Sequence, residues 1–168
     1  NIPLHAFTLT GPKTLVAGNA KGHILLFDLR TSEGVTNRNH TTPDCPSQIT
    51  SLAYNGLGLI ASGSRNHHVE IQDLRKLTSL PLHAHTNHTG TVRALTFQNN
   101  GLTTVGGGAC HSICRWDFDT TNTIKTHRTS APITGVHYLS NSDYMVTSHG
   151  SGDPSLQVWH VTSNNLTQ

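Results

Sequence analysis

Charge is scarce in this chain of 168 residues: only 12% are Asp, Glu, Lys or Arg, and the net charge is +2. No run of five or more basic residues occurs, so the footprint of a nucleic-acid binder is missing. Long apolar stretches are missing too. The longest is Ile24–Phe27, against the roughly 20 residues that a membrane-spanning helix needs. No signal-peptide pattern opens the chain. We expect neither nucleic acid nor membrane among its partners. Cysteine is rare and odd in number, three in all, which gives no disulfide framework and suits a reducing, intracellular setting. Glu and Lys, the common helix formers, are also few. Thr, Ser, Asn and His take their place, and these suit strands and tight turns.

What the chain does contain is a repeat. The stretch from His88 to Asp117 reads His, an alternating strand with Leu95 and Phe97 on one face, and a polar turn at Asn99–Gly101. A second run ends in Gly106–Gly107–Gly108, and a short third strand ends at Trp116–Asp117. The same order occurs three more times. The third strands end at Phe27, Gln72, Trp116 and Trp159, so the spacings are 45, 44 and 43 residues. The residues that follow are Asp28, Asp73, Asp117 and His160. First strands align at Leu4/Phe7/Leu9, Ile49/Leu52/Tyr54, Val92/Leu95/Phe97 and Ile133/Val136/Tyr138. Second strands align as Leu15–Gly18, Ile60–Gly63, Thr104–Gly107 and Val146–Gly150. A period near 40–45 closed by Trp-Asp resembles the WD-repeat blade, a four-stranded sheet of a β-propeller. Short strands at regular spacing also build sandwiches, but the fixed period and the dipeptide favour the propeller.

The expected fold is therefore all-β, with four propeller blades at about residues 1–40, 41–85, 86–125 and 126–168. The chain opens inside a first strand and stops where a fourth blade's outer strand begins. Neither end has a strand to spare, and an open array leaves two apolar blade faces bare. We expect a piece of a larger ring of seven blades, within the four-to-eight range of propellers. Ile24–Phe27 is apolar on both faces, as for a strand held between neighbouring sheets. Pro81 suits an outer edge strand, and Thr31–Pro46 is a long connection expected to hold the first blade's outer strand.

His83, His85 and His88 have the look of metal spacing, and His83 and His85 share a strand face. His88 has a plainer role as the His before a blade's first strand, bonded within its own blade. Cys110 and Cys114 lie about 13 Å apart in an extended strand, too far for a disulfide. His67–His68 falls in an expected exposed turn. The run from Gly56 to Ala61 spells G-x-G-x-x-A, but a strand follows it where a dinucleotide site needs a helix. The glycine triplet lacks the Lys-Ser/Thr of a phosphate loop. No Ser sits in a G-x-S-x-G elbow, and no carboxylate pair stands out. Asp28, Asp73 and Asp117 recur with the period and are structural. We expect no metal, no cofactor and no catalysis.

Read blade by blade, the sequence is similar to one propeller family in particular. Its segments AGNAKGHILLFDLR, IASGSRNHHVEIQDLR, HTGTVRALTF followed by VGGG, and PITGVHYLSNSDYMVTSHGSGDPSLQVW resemble successive blades of the Fizzy and Fizzy-related family. The glycine triplet followed one blade later by Ser148-His149-Gly150 is the most specific match. The resemblance implies a substrate-recruiting activator of the anaphase-promoting complex, a ubiquitin ligase of cell division. It implies protein partners, namely ligase subunits and degron-bearing substrates, and a place in the nucleus or cytoplasm. In that family two Asn of one turn, a Thr after the glycine triplet and a Gln before the next blade grip the KEN degron. Those positions fall here on Arg65, His67, Ala109 and Pro132, none of the family's residue type. Arg only donates hydrogen bonds, and Ala and Pro offer no side-chain bond, where Asn gives and accepts. The alternative is a generic WD-repeat scaffold that binds proteins in another assembly.

Overall fold

The computed structural model describes residues 2–31, 36–41, 47–76, 81–85, 88–98, 101–106, 111–117, 123–139, 142–150, 155–162 and 166–167. These residues form four antiparallel sheets of four strands. The first holds β1 (Leu4–Gly11), β2 (Thr14–Asn19), β3 (His23–Asp28) and β4 (Thr36–Thr41). The second holds β5 (Ile49–Tyr54), β6 (Leu59–Ser64), β7 (Val69–Asp73) and β8 (His83–His85), with a short 3-10 turn at Leu74–Lys76. The third holds β9 (Val92–Gln98), β10 (Gly101–Gly106), β11 (Ser112–Asp117) and β12 (Thr123–Arg128). The fourth holds β13 (Ile133–Tyr138), β14 (Tyr144–His149), β15 (Leu156–Val161) and β16 (Leu166–Thr167). Every sheet takes its strands in chain order, as a propeller blade does. The first strands β1, β5, β9 and β13 stand side by side, so they are the inner strands around the axis.

Alternation within each strand divides its residues between two sheet faces, and each inner face packs on the next sheet. Between the first two sheets, Val16 and Ile24 meet Ile60 with Leu26, Leu52 and Leu74 beside them. Between the second and third, Ala53, Ala61, Val69 and Ile71 meet Leu95, Cys114 and Trp116. Between the third and fourth, Ile113 meets Tyr138, Met145 and Trp159. Burying each Val, Ile or Met contributes roughly 1.5–3 kcal/mol. In the second, third and fourth blades the residue aligned at this point of the third strand turns toward the preceding blade, which is why Trp116 and Trp159 lie 2% exposed. Gln72 holds that place in the second blade. It is buried at 3%, and its Oε1 has no partner among the described residues.

Two glycines permit this close stacking. A Cβ on Gly63 would lie 2.5 Å from Val92 Cγ1 and from Ser51 Oγ. A Cβ on Gly18 would collide with Ile49 in the same way. Each glycine is the last but one residue of a second strand, and Ile49 and Val92 are each the first residue of the next blade's inner strand.

The structure amends several expectations. Leu25 and Phe27 are not sandwiched among the described residues: they share the outer face of the first sheet with Phe7 and Leu9, which are 75% and 64% exposed. The matching outer face of the fourth sheet carries Leu156 and Val158, 73% and 51% exposed. Pro81 precedes β8 rather than lying in it. His67 and His68 are half-buried rather than exposed. The glycine triplet beyond Gly106, with Cys110, lies outside the described residues.

Candidate functional site

Each sheet has an end where its second strand turns into its third, and where the chain passes from one blade to the next. We call this the upper end. A main-chain bond fastens it in three blades. Ala20 N–H donates to Pro3 O at 3.1 Å, Arg65 N–H to Gln48 O at 2.9 Å, and Gly150 N–H to Pro132 O at 2.9 Å. Each bond ties the turn after a second strand to the residue that precedes the inner strand.

Buried polar networks stiffen the same end. In the third blade His88, 3% exposed, faces Ser112 Oγ at 3.3 Å and Cys114 Sγ at 4.0 Å through Nδ1. This is the in-blade bond expected from sequence. Burial pushes the His88 imidazole down to about 4, and the neighbouring His67 adds to the shift. In the fourth blade the Trp159 indole N–H donates to Thr147 Oγ1 at 2.8 Å. The Thr147 hydroxyl then has its proton for His149 Nε2, 2.9 Å away. Here the histidine comes from the second strand itself, a substitution that sequence reading missed. Its Nδ1 is buried without a partner among the described residues.

The described histidine and cysteine candidates, His83, His85, His88 and Cys114, do not converge on one point. His83 and His85 do share a face, with ring centroids 6.3 Å apart, but His85 is stacked on the Trp116 indole at 3.9 Å. Among the described residues no three His, Cys, Asp or Glu side chains converge as metal ligands. Cys114 is buried and forms no disulfide among the described residues. Asp28 and Asp73 cap turns at the opposite, lower end. Each accepts from the backbone N–H and guanidinium of the Arg two residues on, Arg30 and Arg75. Those hydrogen bonds hold both carboxyls down at about 2.

Of the residues singled out in the sequence, Arg65 and His67 lie on the β6–β7 turn. Ser64 N–H and Ser64 Oγ both donate to His68 O, at 3.0 and 3.1 Å, and Ser64 Oγ also bonds Asn66 Oδ1. The tight turn leaves His67 at a φ of 76°, in the left-handed region that few non-glycine residues adopt. Its Nδ1 is buried and unpaired among the described residues. The Arg65 side chain makes no hydrogen bond among the described residues and is exposed. Pro132 leads into β13 two blades on. The topology therefore sets Arg65, His67 and Pro132 at the same end of the sheets. Ala109 lies outside the described residues.

One further feature has no signature in the residue pattern, a bulge in each inner strand just below the upper end. Leu4 pairs with Asn19 but Ala6 with Gly18, so His5 is an extra residue. Thr50, Arg93 and Thr134 are extra in the same place in the other three blades. A bulge re-aims the side chain it carries. Thr50 Oγ1 spends itself on Gly63 O and Val92 O, at 3.1 and 2.6 Å. Thr134 Oγ1 donates to Ser148 O at 3.2 Å. His5 and Arg93 are exposed and line a recess of about 300 Å³ between β1, β5 and β9, with Phe7 and Leu52 among its apolar walls. The arrangement offers hydrogen-bond donors beside an apolar surface.

Comparison with known proteins follows the same lines. Residues 118–160 match the family model "WD domain, G-beta repeat". The WD repeat-containing protein slp1 of Schizosaccharomyces pombe is 30% identical over 161 residues, covering 92% of this chain and 31% of that protein. The anaphase-promoting complex subunit cdc20 of Dictyostelium discoideum is 32% identical over 156 residues, covering 89% of this chain and 30% of that protein. The chain thus spans about a third of the length of these curated relatives. A chain of the mitotic checkpoint complex superposes with a TM-score of 0.82 at 27% identity, over 94% of this chain and 48% of that one. The WD40 repeats of RRP9 superpose equally well, TM-score 0.82, over 99% of this chain and 51% of that one. At 14% identity that likeness shows the fold alone.

Proposed function

Because this chain is a divergent WD-repeat propeller related to the slp1 and cdc20 proteins, we propose that it is a non-catalytic binding module that recruits substrate proteins to the anaphase-promoting complex. The observation that carries this reading is identity of about 30% spread over 92% of the chain, not confined to the blade motif. Generic blades share a period and a Trp-Asp pair. They have no reason to share the order of four successive blades. A rigid array of sheets supports such a role by holding loops in fixed positions. The four blades serve as part of a larger ring, whose other blades cover the outer faces at Phe7 and at Leu156. Substrate peptides lie on the upper end, where Arg65, His67, Ala109 and Pro132 occupy the positions of the family's degron contacts. Their changed chemistry means that a KEN peptide is not the preferred ligand. Among the described residues no helix is long and apolar enough to cross a membrane, and the setting we propose is nucleus or cytoplasm.

Affinity capture of the tagged full-length protein from dividing cells tests the recruiting role. Recovery of ligase subunits, with ubiquitination of a bound substrate that depends on the protein, is the expected result. Recovery of another stable assembly without ligase subunits would replace this reading with that of a general WD-repeat scaffold.

A further inference from the structure

Among the described residues, which do not include Asp44 and Asp153, the upper end carries more positive than negative charge. Of the described carboxylates, Asp28 and Asp73 close third strands at the lower end, and Asp143 sits in the β13–β14 turn at that same end. Glu70 is buried within β7. The ion pairs Arg30–Asp28 and Arg75–Asp73 are both at the lower end. At the upper end stand Lys21 in the β2–β3 turn, Arg65 in the β6–β7 turn and Arg128 at the end of β12, all exposed. Arg93 stands at the mouth of the axial recess, placed there by the bulge in β9. Its guanidinium makes no hydrogen bond or ion pair among the described residues, and no carboxylate is among the described residues lining the recess. The equivalent threonines are spent on main-chain carbonyls, Thr50 on Gly63 O and Val92 O and Thr134 on Ser148 O, so Arg93 and His5 are the bulge residues left to meet a ligand.

We propose that the recess on the axis is a carboxylate-binding site, and that the upper end takes an acidic peptide whose Asp or Glu side chain reaches Arg93. A guanidinium presents a planar fork of donors that a carboxylate accepts in pairs. The stem of that side chain packs on Leu52, which lines the recess. Lys21, Arg65 and Arg128 meet further acidic residues along the peptide, which raises the rate of encounter. This names the ligand class of the face already assigned to peptides, and it rests on that assignment.

The test is fluorescence anisotropy with the whole chain and three labelled probes. These are a twelve-residue peptide rich in Glu and Asp, its Gln and Asn counterpart, and a single-stranded oligonucleotide of equal charge. The acidic peptide should bind about tenfold or more tighter than the neutral one, as for hydrogen bonds to charged groups. Arg93→Gln should remove about that factor, Arg93→Lys should restore part of it, and Lys13→Gln at the lower end should change nothing. An unchanged melting temperature in Arg93→Gln shows that the loss is not unfolding. His5→Gln is a second variant should that one fail to fold, with a smaller loss in the same direction. Equal binding of the two peptides overturns the acidic preference and leaves the peptide face standing. Binding of neither removes both. Binding of the oligonucleotide as tightly as the acidic peptide overturns the assignment to peptides.

Discussion

Val92 seats its side chain in the space left by the missing Cβ of Gly63, so that the third blade's inner strand touches the second strand of the second blade. The contact leaves no room for a methyl group. Gly63→Ala should destabilise the fold by about 1–3 kcal/mol, the usual cost of overpacking. Gly56→Ala is the informative contrast. A Cβ there meets nothing within 4 Å, but the φ of 79° opposes any side chain. Its cost should be about 1 kcal/mol and purely local. Thermal melts of both variants check the difference, and equal losses would show that blade packing does not depend on Gly63.

Thr147 serves two buried rings at once, accepting from Trp159 and donating to His149. Thr147→Val keeps the shape and strands both rings. We expect a loss of about 1–3 kcal/mol from the unpaired groups. Thr147→Ser should retain most of the stability. Chemical denaturation followed by tryptophan fluorescence measures both, and a neutral Thr147→Val would show that the network adds nothing.

Stability should fall in mildly acidic solution. His88 is held neutral in the fold, its pKa pushed down to about 4 by burial and by His67. In the unfolded chain it returns to about 6.5. Between those values the unfolded state takes up the proton and the folded state does not. The stabilising effect is therefore whole above about pH 6.5 and is lost as the pH falls toward 4, by about 3 kcal/mol. His85, stacked on Trp116 and lowered by burial and by His83, acts in the same direction. Denaturation midpoints across this range should slope less in His88→Gln. An identical slope would show that the titration lies elsewhere.

The outer faces of the first and fourth sheets should behave as sticky surfaces when the chain is isolated. Phe7 and Leu156 are 75% and 73% exposed on these faces. Phe7→Ser and Leu156→Ser should lower the binding of a hydrophobic dye and the tendency to associate. Neither should lower the melting temperature. A marked drop in melting temperature would mean that these side chains are already packed in solution.

Much of the architecture was legible because blades repeat. Trp116 and Trp159 recur at a fixed spacing, and an indole that ends a third strand has one place to go, against the preceding sheet. His88 was readable for the same reason, since its position before an inner strand fixes what it can reach. The bulges were not readable. They are a property of main-chain pairing, and the residues they carry are His5, Thr50, Arg93 and Thr134, which share no chemistry. Nor was the role of His149, because the fourth blade draws its buried imidazole from within a strand rather than from the residue before one. The strained His67 was hidden too. Its letters suggested a loose exposed turn, whereas the Ser64 bonds to His68 tighten that turn and half-bury its tip.

The bonds from Ala20 to Pro3, Arg65 to Gln48 and Gly150 to Pro132 use only main-chain atoms. No side chain is consulted in making them. The donors are Ala, Arg and Gly, and the acceptors are Pro, Gln and Pro, yet the joint is the same. Substitution at these six positions therefore leaves the skeleton of the upper end in place while rewriting what it presents. Such a surface can drift from one ligand to another through point changes that the fold scarcely registers. A propeller whose scaffold residues stay recognisable while its contact residues do not is the expected product of that independence.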